Sequence, residues 1–342
     1  MKTKLVKVYE NHRRKKVENG FNLLKNMHLL IKGYYGYKNL GDELILFSLL
    51  RWVEKTLKPD QISLLCGDPK WLEEWLMRHK EFFPPITKKL HFLPNPKRWG
   101  YVKQVLGFGW KYDFYVFGGG QVVDEERKFP HNGRNLPVLY RRVINTGNFA
   151  LVGGIGTQNR DGTDVLQKML LEKAKIVLLR DSFSEGLAER VLKKEDWYKA
   201  QTIGDLSLPL LEESKKMLDK GKMKNTRDPY VLVNISPLCD FERALKKVKN
   251  FLRKHPQAQP LYFPAHLGED LQYFEKLQEK IPTIELFDWT QVGVTGTMKL
   301  LYFAEAGIGA RLHFLYPLKF FGVPYEVLHN SHKNQINLAD ID

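Results

Sequence analysis

Only two cysteines occur in the 342 residues, Cys66 and Cys239. They stand far apart and fit neither a metal-ligand spacing nor a disulfide framework, which points to a reducing compartment. Long apolar runs are missing as well. The longest, such as Leu44 to Phe47, extend for only a few residues. Neither a membrane-spanning helix nor a signal peptide is expected, and the protein is expected in the cytoplasm. Acidic residues are in deficit, 39 against 54 basic, for a net charge of +15. Part of the excess is local: residues 1–27 hold eight basic and two acidic side chains. A solvated tail, an anionic membrane face at the inner side of the membrane, or nucleic acid each suits such charge. No nucleic-acid-binding module accompanies it, so nucleic acid is not expected as a partner. Repeats of fixed period and low-complexity tracts are also lacking.

What is present is an alternation. Apolar, strand-like segments (His28 to Lys32, Gln61 to Cys66, Leu90 to Leu93, Phe114 to Phe117, Phe149 to Val152, Ile176 to Leu179) are separated by segments with helical periodicity. Helices are expected at Asp42 to Leu57, Trp71 to His79, Lys97 to Leu106, Pro137 to Thr146, Val165 to Lys173 and Ser182 to Leu192. Strands alternating with helices imply parallel sheets with helical crossovers. Glu212 to Asp228, rich in Lys, Glu, Gly and Asn, reads as a helix end running into a linker. The alternation then resumes with strands at Tyr230 to Ile235, Pro260 to Phe263 and Ala306 to Gly309, and helices at Phe241 to Lys254 and Leu271 to Lys280. The expected class is α/β, with two doubly wound parallel-sheet domains facing across a cleft. The divisions expected are a basic extension at 1–27, an N-terminal domain at 28–214, a linker at 215–228 and a C-terminal domain at 229–342.

Chemistry in such folds sits at carboxyl ends of strands and amino ends of helices. Gly309-Ala310-Arg311-Leu312-His313 occupies such a junction. The Arg311 fork suits a carboxylate or phosphate, and His313 offers a proton near neutral pH. After the first strand comes Gly33-Tyr34-Tyr35-Gly36-Tyr37-Lys38-Asn39-Leu40-Gly41-Asp42-Glu43, whose spacing is neither the dinucleotide fingerprint nor the Walker A loop. Asp42 and Glu43 suit the helix dipole, but they make a poor phosphate cradle, so a neutral, hydroxyl-rich ligand such as a sugar fits better. Gly118-Gly119-Gly120 allows close backbone approach, and Gly153-Gly154-Ile155-Gly156-Thr157 marks a tight turn more than a ligand contact. Arg180 is an anion-binding residue or the partner of Asp181, and Asp181 or Ser182 caps the next helix. His266, followed by Glu269 and Asp270, ends a strand of the second domain and reads as an ordinary loop histidine. The histidines show no metal-ligand spacing, and no metal or cofactor is expected.

These residues, in this order, resemble the polysaccharide pyruvyl transferase family over about residues 28–335. The resemblance rests on Gly-Tyr-Tyr-Gly-Tyr-x-Asn-x-Gly-Asp-Glu, the triple glycine, Arg180-Asp181-x-x-Ser184, Arg311-Leu312-His313, Gly322-Val323-Pro324 and the late Lys333. It departs in two places. Asp124 and Glu125 compete for the acid that follows the triple glycine, and Asn330-Ser331-His332-Lys333 replaces a usual Tyr-Asp-Pro-Lys.

The resemblance implies a fold similar to two-domain B-type glycosyltransferases. It also implies transfer of pyruvate from phosphoenolpyruvate to a sugar of a cell-surface glycan or its lipid-linked precursor, usually as a ketal. Arg180, Arg311, Leu312 and His313 would then bind phosphoenolpyruvate. Gly33, Tyr35, Gly36, Asn39, Gly41, Gly119 and Gly120 would line the acceptor side. Ketal formation needs a proton at the methylene carbon, for which His313 is the candidate, and a base for the sugar hydroxyl, for which Asp42 or Glu43 is. The competing readings are a nucleotide-sugar glycosyltransferase of the same architecture and a non-catalytic glycan-binding relative.

Overall fold

A computed structural model of the chain describes residues 26–79, 82, 89–95, 112–121, 143–154, 165–220 and 228–340. The basic extension up to residue 25, the helix expected at 97–106, the start of that at 137–146, the acids at 124–126 and the pair Gly156-Thr157 lie outside the described residues. The chain divides into two compact units. One takes the chain up to Tyr35, Leu46–Glu73 and Glu81–Leu206; the other takes Gly36–Ile45, Glu74–Lys80 and Ser207–Asp342.

Among the described residues, the first unit is built on seven parallel strands. They are β1 (His28–Lys32), β2 (Gln61–Cys66), β3 (Leu90–Pro94), β4 (Phe114–Gln121), β5 (Phe149–Gly154), β6 (Ile176–Leu179) and β7 (Ala200–Thr202), in the order β3-β2-β1-β4-β5-β6-β7. Helices α1 (Leu40–Thr56), α2 (Pro69–Arg78), α3 (Val165–Lys173) and α4 (Ser182–Val191) interleave with the strands. The central strands are apolar on both faces because helices cover both, as the wholly buried β5 and β6 show. One core joins Phe117, Phe149 and Leu151 of the sheet to Leu170 and Leu187 of α3 and α4. Strand order reverses between β1 and β4.

The second unit repeats the plan with α5 (Leu208–Asp219), β8 (Tyr230–Asn234), α6 (Phe241–Lys254), β9 (Gln259–Tyr262), α7 (Leu267–Lys280), β10 (Glu285–Leu286), α8 (Trp289–Phe303), β11 (Ala306–Gly309), α9 (Leu312–Phe321), β12 (Tyr325–Val327) and α10 (His332–Ala339). Its five strands are also all parallel, ordered β10-β9-β8-β11-β12. Here the order reverses between β8 and β11, where Asn234 stands in register with Gly309. In doubly wound sheets, ligands bind beyond the carboxyl ends of the strands at such a reversal.

The structure differs from the sequence reading in three places that bear on the site. The triple glycine does not follow β4 but lies within it. β4 runs on to Gln121 with a register break after Gly119, whose φ of 135° is a conformation that favours glycine. The segment read as a linker from 215 is helical to Asp219: α5 buries Leu210, Leu211 and Leu218 in the second unit, so the units part at Leu206 and Ser207. Most unexpectedly, Gly36–Ile45, the glycine loop and the first turns of α1, belongs to the second unit. Cys66 and Cys239 are both free thiols. Among the described residues, no helix is long and apolar enough to cross a membrane.

Candidate functional site

The residues singled out from the sequence collect into two groups, one in each unit. In the first unit, Gly33 follows β1 directly. A Cβ there would collide with the carbonyl of Gly118 and the ring of Tyr35. Tyr35 is fully buried, so it packs the sheet reversal and offers no exposed face for sugar stacking. Arg180 leaves the end of β6 and is only 4% exposed. Its Nε and Nη2 both donate to Asp181 Oδ2 at 3.0 Å, and its Nη1 donates to the carbonyl of Gly120. Gly154 makes room for this: a Cβ there would lie 2.7 Å from both Arg180 Nη2 and the Gly120 carbonyl oxygen. Asp181 Oδ1 caps α4 by accepting from Ser184 N at 2.8 Å and Ser184 Oγ at 2.6 Å. Burial pushes the Asp181 carboxyl up, but Arg180 and the Ser184 donors outweigh it and hold the group below the usual carboxylate range. Of the two sequence readings of Arg180, the structure shows the pairing with Asp181. The pair lies at the ends of β4, β5 and β6, with part of the Arg180 donor capacity unused among the described residues.

The second group is larger and lies at the β8/β11 reversal. Asn234, the last residue of β8, organises it. Its Oδ1 accepts from the backbone N of Arg311 (3.0 Å) and of Ala310 (3.4 Å). Its Nδ2 donates to the Phe263 carbonyl (2.9 Å) and to Asp270 Oδ2 (3.2 Å). Asp270 is wholly buried on α7, and its Oδ1 accepts from Arg311 Nε at 3.1 Å and Nη2 at 2.6 Å. Glu269, half exposed, takes the same Nη2 on its Oε2 at 2.7 Å. Burial opposes the Arg311 charge, but the two carboxylates more than compensate and raise its pKa. Among the described residues Nη1 of Arg311 has no partner, so one edge of the fork is open.

His313 follows in the first turn of α9 and is buried, as is Leu312. Gly41 is packed so closely on the His313 imidazole that a Cβ at 41 would overlap the ring. The glycine loop is tied to this place by backbone bonds. Leu40 N donates to the Ala265 carbonyl at 2.8 Å, Leu267 N donates to the Lys38 carbonyl at 3.1 Å, and Asn39 forms an antiparallel bridge with His266. Gly36, with φ of 73°, turns the loop so that its N–H donates to Glu43 Oε1 at 2.9 Å. Glu43 has no exposure. Burial, with Asp42 as a like-charged neighbour, drives its carboxyl well above the usual range, against the pull of the loop's backbone N–H groups. Glu43 therefore closes the loop. Asp42, 9% exposed, accepts from Asn39 Nδ2 at 2.6 Å.

His266, which the sequence marked as an ordinary loop residue, lies within this second group. It precedes α7, its backbone N donates to Asp270 Oδ2 at 3.0 Å, and its Nε2 lies 3.9 Å from Glu269 Oε1. Burial lowers its pKa, helped by Arg311 and opposed by Glu269, Asp270 and Asp42, so the ring is neutral near pH 7. A sequence signal did exist in His266-x-x-Glu269-Asp270 at the end of a strand, but the Asn39 contact that gives it meaning spans more than two hundred residues. Lys333 lies in α10, and nothing further is described of its side chain. Among the described residues, no cluster of three or more His, Cys, Asp or Glu side chains is arranged to hold a metal ion. The second group thus offers an anchored guanidinium, two imidazoles and a carboxylate around one glycine loop. That set can grip an anion and move protons.

Comparison with known proteins agrees on the family and the fold. A family model described as polysaccharide pyruvyl transferase matches residues 39–315, opening at the Asn39 that bridges to His266 and closing two residues past His313. No curated protein matches the chain in a sequence search. Among solved structures, UDP-GlcNAc 2-epimerase from Neisseria meningitidis bound to UDP-GlcNAc superposes with a TM-score of 0.62 at 10% identity, covering 92% of this chain and 85% of that one. The Methanocaldococcus jannaschii UDP-GlcNAc 2-epimerase in complex with UDP-GlcNAc and UDP gives 0.59 at 12% identity, covering 90% and 84%. At such identities the likeness is one of fold, that of two parallel α/β sheets as in B-type glycosyltransferases. With a family model spanning most of its length and taking in the end of the glycine loop and the Arg-Leu-His segment, the chain belongs to the polysaccharide pyruvyl transferase family.

Proposed function

We propose that the protein transfers pyruvate from phosphoenolpyruvate to two hydroxyls of a sugar, forming a ketal and releasing phosphate. The acceptor is a cell-surface glycan unit or its lipid-linked precursor on the cytoplasmic side. One observation carries the reading: Arg311, oriented by buried Asp270, and His313, pressed against Gly41, flank Leu312 at the start of one helix. Arg311 meets the carboxylate or phosphate through its open edge, and α9 directs its N-terminal dipole toward the same anion.

The protons balance as follows. Protonated His313 delivers one to the methylene carbon of the enol, leaving an electron-poor carbon at C2. A sugar oxygen bonds to that carbon as its proton passes to Asp42. The C2–phosphate bond then breaks, and the second sugar oxygen takes its place. Of the two hydroxyl protons, one restores His313 and the other leaves on hydrogen phosphate. Glu43 is wholly buried and its Oε1 takes the Gly36 N–H, so the role of base falls to Asp42, with His266 beside it.

The test is acceptor-dependent phosphate release from phosphoenolpyruvate. Replacing the acid, His313→Ala, lowers turnover by roughly 100-fold or more. Undiminished turnover in that variant removes the assigned role. A thermal shift with a nucleotide-sugar but none with phosphoenolpyruvate replaces the whole reading with glycosyl transfer.

A further inference from the structure

We infer that the solvent face of α6 docks the protein on an anionic phospholipid bilayer. Residues 229–342 contain 12 basic and 12 acidic side chains, so this stretch has no net charge. Half of those basic residues nevertheless lie on α6, namely Arg243, Lys246, Lys247, Lys249, Arg253 and Lys254, against a single acid, Glu242. All six are exposed, while Ala244, Leu245, Val248 and Phe251 are buried against the sheet and α7. The helix is thus divided lengthwise into an apolar inner stripe and a cationic outer face.

Local neutralisation is slight. Lys254 pairs with Glu326 at 2.7 Å. Arg243, Lys246 and Lys249 have no ion-pair partner among the described residues. Lys276 of α7 extends the face at its N-terminal end, sitting over the rings of Phe241 and Tyr273. Just ahead of the N-cap Asp240, Leu238 is 59% exposed, in a loop that leaves the β8 end only four residues after Asn234. A cationic helix face with an exposed leucine at one end suits a charged headgroup layer with an acyl boundary beneath it. Nucleic acid fits less well, since the face offers no exposed aromatic ring for base stacking. The leucine loop also rises from the same sheet edge as Arg311, which would bring a membrane-held acceptor close to the site. The inference itself is independent of pyruvate transfer, and its test uses no substrate.

The full-length protein is sedimented with vesicles of phosphatidylcholine alone and with about 30% phosphatidylglycerol, at low and high salt, each basic residue near the surface contributing about five-fold to partition. Expected is binding to the anionic vesicles only, weakened by salt. The triple variant Arg243→Glu/Lys246→Glu/Lys249→Glu, shown folded by circular dichroism, loses at least about 100-fold. If that variant does not fold, Lys246→Gln/Lys249→Gln is used instead and loses about 25-fold. Three outcomes overturn the inference. The parent fails to bind anionic vesicles; or the α6 variants bind as the parent does while Lys2→Gln/Lys4→Gln/Lys7→Gln abolishes binding; or single- or double-stranded DNA binds more tightly than the vesicles and is lost in the same α6 variants.

Discussion

Glu269 occupies a position that the donor substrate would contest. Its Oε2 lies 2.7 Å from Arg311 Nη2, yet the side chain is 48% exposed, whereas the other carboxylate on that guanidinium, Asp270, has no exposure. The two acids therefore do different work. Asp270 fixes the fork, and Glu269 would screen it until an anion arrived. An exposed pair of this kind contributes only about 0–1 kcal/mol to stability, so Glu269→Gln leaves folding nearly unchanged. Its effect on the ligand is larger. A bound carboxylate or phosphate on the same guanidinium would sit about 4–5 Å from the Glu269 oxygens, where like charges repel by about 1 kcal/mol in water and more near a protein surface. Discounted for solvent screening, about 1 kcal/mol remains, which is about a five-fold fall in KM for phosphoenolpyruvate with kcat little altered. Steady-state phosphate release at saturating acceptor reads it directly, and calorimetric titration of the donor checks that KM reports binding. The contrast is Asp270→Asn, which strands a largely buried guanidinium and costs about 3–5 kcal/mol of stability. An unchanged or raised KM in Glu269→Gln refutes the placing of the anion on Arg311.

Other expectations can be checked with the same material. Gly41→Ala forces the loop off the His313 ring, so turnover falls at least about ten-fold while thermal unfolding shows only a modest loss, of about 1–3 kcal/mol. Asn234→Ala leaves the Arg311 N–H and Asp270 short of partners and lowers stability by about 2–4 kcal/mol in denaturant titration. Glu43 has a raised pKa in the fold, so the folded state binds a proton the unfolded chain has released, and stability falls as pH rises above the ordinary carboxyl value. Glu43→Gln removes that dependence, and its melting temperature relative to the parent should climb as pH rises above the ordinary carboxyl value. His266 has the opposite sign: its lowered pKa means the unfolded chain binds the extra proton, so its contribution is lost as pH falls below about 6.5.

The parallel strands and the helices with a clear apolar stripe were legible because burial wrote itself into local composition. β1, β2, β6, β11, α3 and α6 match the expected spans residue for residue. Short edge strands such as β7 and β10, only three and two residues long, leave no pattern to read. α8 was invisible for a different reason. It carries Gly293 and Gly296 among β-branched residues, a poor helical sequence, and Gly293 departs from helical geometry with φ of 70° where the His79 ring packs. Within the site, Arg311 and His313 could be marked from the strand-to-helix junction alone. The complete burial of Glu43 and the pairing of His266 with Asn39 could not. They depend on burial and on a pairing of segments far apart in sequence, which no local window contains.

That pairing has a consequence for biogenesis. Leu40 donates to Ala265, so a loop translated early is completed by a partner that the ribosome has yet to make. At about 5–20 residues per second, the nascent chain waits on the order of 10–50 s for it. During that interval the Leu40 amide lacks its acceptor and the Lys38 carbonyl its donor, and the first turn of α1 has nothing to lean on. The anchoring of the loop is therefore set by the last third of translation, and a truncated product retaining every residue of the amino-terminal sheet would still hold its own glycine loop unanchored.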